Sequence, residues 1–137
     1  MKLGRLHHVG AVVPSLATAR RFHVETMGGE LRGAAIDVDG GIARIGFVQM
    51  PGVLMEFIEP LAPDTDLAAF LASHPGGAPH HLCHEVDDIA AASAEAAAAG
   101  AEFICPIVTG VLGLPIFFVR FPAVSSLLLE LIQIRTA

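Results

Sequence analysis

The ten residues His7–Leu16, HHVGAVVPSL, return as His80–Ile89, HHLCHEVDDI, shifted by 73 positions. Each copy opens on a histidine pair, continues as a short, largely apolar run and then presents a turn or cap: Pro14-Ser15 in the first, Asp87-Asp88 in the second. Ser and Asp at that place accept hydrogen bonds from the free N–H groups of a helix start, so both copies predict a strand leading into a helix.

Reading outward, the first helix runs through SLATARRFHVETM to Gly28-Gly29, and the second, DDIAAASAEAAAAG, stops at Gly100. Three strand candidates follow each: GELRGAA, GIARIGFVQM and VLMEFIE after the first, AEFICPIV, LPIFFVRF and SSLLLELIQI after the second, with Gly, Pro, Asp or Ser between them. Each module therefore reads βαβββ, the first over about 4–60 and the second over about 79–135. Between them PLAPDTDLAAFLASHPGGAP has an Asp-Thr-Asp start, apolar Leu67, Phe70 and Leu71, and a Pro-Gly-Gly stop, which predicts a short linking helix within 61–78. A module of about 55 residues leaves too much surface wet to be comfortable alone. The expectation for 1–137 is one α+β domain of two interdependent halves.

The repeat reaches the far end of each module. Glu56 in VLMEFIEP lies 48 residues after His8, and Glu130 in LLLELIQI lies 49 after His81. Leu127-Leu128-Leu129-Glu130-Leu131-Ile132 is too apolar for a half-wet strand, so its carboxylate must be paired or coordinated; an unpaired buried charge costs several kcal/mol or neutralises. Two His and two carboxylates from a tandem repeat form an N₂O₂ donor set that suits Zn, Co, Ni, Mn or Fe. Strand alternation puts the members of His7-His8 and of His80-His81 on opposite faces, and parity alone leaves open which member coordinates. His84 shares the His80 face, and His23 and His74 fall on helix or loop; these three read as structural or exposed.

Composition narrows the function classes. With 53% hydrophobic and 16% charged residues the chain is not of the disordered type. A formal charge of −6 with eight Lys and Arg argues against nucleic acid, which demands clustered basic residues. No apolar run reaches membrane-span length and MKLGRLHHVG lacks a signal-peptide pattern, so the expectation is no membrane partner and a cytoplasmic location. Cys83 and Cys105 form no CxxC pair and read as reduced structural thiols.

Taken together, LHHVGAVVPSLATARRF, the stretch EPLAPDTDLAAFLASHPGGAPHHLCHEVDDI from Glu59 to Ile89, and the ending LLLELIQ resemble the vicinal oxygen chelate (glyoxalase/bleomycin resistance) superfamily. The middle stretch is similar to methylmalonyl-CoA epimerases. The resemblance implies a cupped sheet around a divalent metal, the second His of each pair as ligand, and hence the set His8, Glu56, His81 and Glu130. It also implies proton removal beside a carbonyl, with the enolate stabilised by the metal and carboxylates carrying the proton. Glu130 is the leading proton carrier, with Glu56 and Glu85 as candidates for the second. The implied partner is a small-molecule substrate, an acyl-CoA in the epimerase reading, and a homodimer is the expected assembly. The chain departs from the epimerase pattern in two places: the Gly41–Met50 strand carries no acid, with Arg44 near the expected position, and Leu114-Pro115 stands where a Gly-Arg or Gly-Lys type pair is usual. The alternatives are a glyoxalase-I-type lyase acting on thiol conjugates and a non-catalytic, antibiotic-binding member of the superfamily.

Overall fold

The computed structural model describes residues 1–134; residue 135, the expected end of the second module, lies outside them. Eight strands and three helices form among the described residues. Two compact units emerge, one of His8–His80 and the other of Met1–His7 with the chain from His81 on.

In the first unit β1 (Leu6–Val12) leads into α1 (Leu16–Glu25), then β2 (Glu30–Val38), β3 (Ala43–Met50) and β4 (Val53–Pro60), in the sheet order β2-β3-β4-β1. β1 and β4 run parallel, with Gly10 beside Glu56 and Val12 beside Ile58, whereas β3 is antiparallel to both β2 and β4. Ser15 caps α1 by accepting from the Thr18 N–H at 3.2 Å, as its sequence position predicts. One sheet face packs on α1 through Leu16, Val48 and Phe57. The opposite face buries Val12, Ala43, Ile45, Phe47 and Ile58 under α2 (Asp66–Ser73), the predicted linking helix, which contributes Leu67, Phe70 and Leu71.

The second unit repeats the pattern with β5 (Ala78–Val86), α3 (Ile89–Ala98), β6 (Glu102–Thr109), β7 (Pro115–Arg120) and β8 (Leu129–Gln133), in the order β5-β8-β7-β6. Asp88 caps α3 through the Ala91 N–H, and Gly100 ends the turn at φ 89°. Val86, Ile89, Ala92, Ala96, Phe117, Val119 and Leu131 form the core under α3. Strand β8 is shorter than the expected SSLLLELIQI, because its ladders to β5 and β7 cover only Leu129–Gln133. No helix among the described residues is long and apolar enough to cross a membrane.

Candidate functional site

Register assigns the faces. In β4, Glu56 pairs with Phe47 and Ile58 with Ile45, so Glu56 points to the side of the sheet opposite α1. β1 brings His8, Gly10 and Val12 to that same side through the Gly10–Glu56 and Val12–Ile58 pairs. His8 Nε2 lies 3.8 Å from Glu56 Oε1, and the Phe47 ring stands edge-on to the imidazole with centroids 6.0 Å apart. The second unit reproduces each element. Glu130 pairs across β7–β8 with Phe118, His81 Nε2 lies 3.1 Å from Glu130 Oε2, and Phe118 is edge-on to His81 at 5.3 Å.

Accessibility separates these four side chains from all others. His8, Glu56, His81 and Glu130 are the only buried charged or polar side chains among the described residues, at 1, 5, 5 and 7% exposure. Burying a carboxylate costs more desolvation than one neighbouring imidazole returns unless further partners are present, and apolar residues of similar volume are usually as stable or better. Two such His–Glu contacts stand at equivalent strand positions, one in each module. Imidazole nitrogen beside carboxylate oxygen is a donor type that divalent ions of the Zn, Co, Ni, Mn and Fe series accept, so the residues present fit such an ion.

The remaining candidates are placed differently. Glu85 is half-buried and its Oε2 accepts from Arg5 Nε at 2.6 Å, while the Gly4 N–H donates to the Glu85 carbonyl at 2.7 Å. Arg44 turns to the α1 side of the sheet and pairs with Asp37 at 2.9 Å; the hydrogen bond to Asp37 raises its pKa further. On the Glu56 face β3 presents Ala43, Ile45, Phe47 and Gln49, without an acid. His23 Nδ1 meets the Ala19 carbonyl at 2.7 Å, His74 stacks on Phe70 at 4.5 Å, and His84 Nδ1 is buried without a hydrogen-bond partner among the described residues. Phe47 and Phe118 went unassigned in the sequence reading, although each stands at the matching place of its module.

Two further features escape the sequence. Glu59 Oε1 accepts from the Leu16 N–H at 3.0 Å, and Gln133 Oε1 accepts from the Ile89 N–H at 2.8 Å. In both modules, then, the strand carrying the site glutamate also ties down the start of the helix behind it, three residues on. That tie restricts the glutamate strand from one side while the histidine strand pairs with it from the other.

The family profile described as Glyoxalase/Bleomycin resistance protein/Dioxygenase superfamily matches residues 7–118. The chain belongs to that superfamily. It is 34% identical over 135 residues to the ethylmalonyl-CoA/methylmalonyl-CoA epimerase of Cereibacter sphaeroides, covering 96% of this chain and 99% of that protein. It is 38% identical over 87 residues to the mitochondrial methylmalonyl-CoA epimerase of Bos taurus, covering 64% of this chain and 49% of the relative, so it spans about half of that protein. The crystal structure of methylmalonyl-CoA epimerase from Mycobacterium tuberculosis superposes with a TM-score of 0.83 at 22% identity, over 96% of this chain and 88% of that one. That likeness establishes the fold, two tandem βαβββ modules. Within the superfamily the sequence is epimerase-like, and its named relatives are enzymes.

Proposed function

We propose that the chain is a metal-dependent epimerase of 2-acyl-CoA thioesters, with His8, Glu56, His81 and Glu130 holding one divalent ion and the two modules working as a single domain. The observation that carries this reading is that these four residues, one His and one Glu from each module, make up the whole set of buried polar side chains among the described residues. The ethylmalonyl- and methylmalonyl-CoA thioesters in the name of the relative matched over 99% of its length support this substrate class.

His8, Glu56, His81 and Glu130 would hold the ion, which when bound would supply Lewis acidity to offset the negative charge that develops on the thioester oxygen as the neighbouring C–H ionises. The protein supplies the proton chemistry. Inversion at carbon needs one group to take the proton from one face and another to return it from the opposite face. Glu130 and Glu56 fill these roles, since they are the buried carboxylates and come from different modules. Glu85 is the weaker candidate because Arg5 occupies its carboxylate. Phe47 and Phe118, edge-on to His8 and His81, fix the imidazole planes and keep bulk water from that side.

Solvent deuterium exchange at C2 of methylmalonyl-CoA and ethylmalonyl-CoA, followed by proton NMR, tests the reading. Metal-stripped protein should be inactive. Reloading in turn with Zn, Co, Ni or Mn should restore exchange with about one ion per chain, and His8→Ala or Glu130→Gln should lose it. No exchange under any loading, with no ion retained, would sink the proposal; turnover of a thiohemiacetal alone would replace it with the lyase reading.

A further inference from the structure

We infer that Arg32 anchors an anionic group of the substrate, an inference that rests on the functional reading above and adds a specificity residue to it. The register places Arg32 of β2 directly across from Phe47 of β3, which in turn lies directly across from Glu56 of β4. Residues opposite one another in a ladder share a face. Arg32 therefore stands on the same face as Glu56, two strands away and about 10 Å between backbones at the usual strand spacing, with His8 one strand farther on.

Arg32 is also the one Lys or Arg on that face of the first module. Apart from Arg32, the ladders put only Glu30, Glu56 and His8 on that face as ionisable residues. Arg44 and Arg20 point the other way, tied to Asp37 and to the Gly33 carbonyl respectively. Arg32 is exposed and makes no ion pair among the described residues, even with Glu30 two positions along the same face. An exposed guanidinium across from an aromatic residue, on the same sheet face as a buried carboxylate in a chain of net charge −6, is suited to hold a carboxylate or phosphate in a two-pronged hydrogen bond. It places the anion on the Glu56 side of the reacting carbon, so the carbonyl approaches with one orientation.

Two groups of a malonyl-type CoA thioester carry that charge, the free carboxylate and the phosphates of the CoA arm. The experiment compares wild type, Arg32→Met and Arg32→Lys, measuring equilibrium binding of methylmalonyl-CoA by calorimetry and KM and kcat for deuterium exchange. Expected are a ten- to hundredfold loss of affinity and a matching rise in KM in Arg32→Met, near-normal kcat, unchanged metal content, and partial recovery in Arg32→Lys. Repeating the series with methylmalonyl-pantetheine, which lacks the phosphates, assigns the partner: the same loss points to the carboxylate, no loss to a phosphate, and either result supports the anchor. Unchanged affinity and KM in Arg32→Met, or no methylmalonyl-CoA binding by wild type, would overturn it. Binding that depends on Arg32 without any exchange would reject the epimerase reading and leave the anchor standing.

Discussion

In the first module the strand under the helix carries Gly46 where the second carries Phe117, each next to the phenylalanine that faces its site glutamate. The helices compensate in the opposite sense. α1 lays the stem of Arg20 over Gly46, so closely that a β-carbon there would come within 2.7 Å of Arg20 Cδ, and α3 brings the small Ala92 and Ala96, with Ile89 at its start, into the cluster of Phe117. The first interface is a small strand residue under a long charged side chain whose Nη2 donates to the Gly33 carbonyl at 2.8 Å and whose Nε is buried without a partner among the described residues. The second is a large aromatic under small residues. The site side of each sheet is nevertheless preserved down to the His–Glu–Phe arrangement. The helix side differs between the two modules while the face of the proposed site keeps its pattern, which is what a functional constraint on one face would produce.

The comparison predicts that the two glutamates carry comparable weight. Glu130→Gln and Glu56→Gln should each lower kcat for deuterium exchange by about 10²–10⁴, the usual scale of a lost acid–base group, with melting temperatures close to wild type. Wild-type rates in both would end the equivalence of the modules; a loss in one alone would assign proton transfer to that face. Glu130→Leu separates the chemistry from packing, since a purely structural carboxylate would yield a more stable protein of unchanged activity.

On the helix side the expected effects are smaller and unequal. Phe117 is fully buried, and Phe117→Ala should cost about 3–5 kcal/mol in a denaturant titration. Gly46→Ala should cost about 1–3 kcal/mol, because the overpacked neighbour is a side chain that can swing away. Placing Ser at 20, as the second module has at Ser93, should recover most of that cost. A double variant as unstable as Gly46→Ala alone would show that the two interfaces are not related by this exchange of sizes.

Much of this was legible in the sequence for physical reasons that differ by element. Helix starts at Ser15 and Asp88 and the stop at Gly100 are local signals, and Glu130 announced its burial through its apolar neighbours. The choice between His7 and His8 was not readable, because both faces of β1 are apolar and only the pairing with β4 distinguishes them. The roles of Glu59 and Gln133 were not readable, since the helix N–H groups they accept from are 43 and 44 residues away in sequence. Arg32 and Cys105 depend on register across three strands, with a register shift in both β2 and β6, which no single-strand pattern encodes.

Cys105 gives the mildest test of the comparison, because it is the second module's counterpart of Arg32. It pairs with Phe118 as Arg32 pairs with Phe47, so one outer strand offers a cation to the site face where the other offers a neutral thiol. Burial raises the Cys105 pKa above the ordinary thiol value, and the negative charge of Glu130 raises it further. The thiolate is the reacting form, so a raised pKa leaves less of it at any given pH below full ionisation. In metal-free protein at pH 8, iodoacetamide should therefore modify Cys105 severalfold more slowly than it modifies the unfolded chain. The native rate should keep climbing with pH after the unfolded rate has levelled off. Cys83, wholly buried, should not react while the fold is intact. Native and unfolded rates that coincide at pH 8 would mean that Cys105 is more open to solvent than its place opposite Phe118 allows, and the parallel between the two outer strands would fail there first.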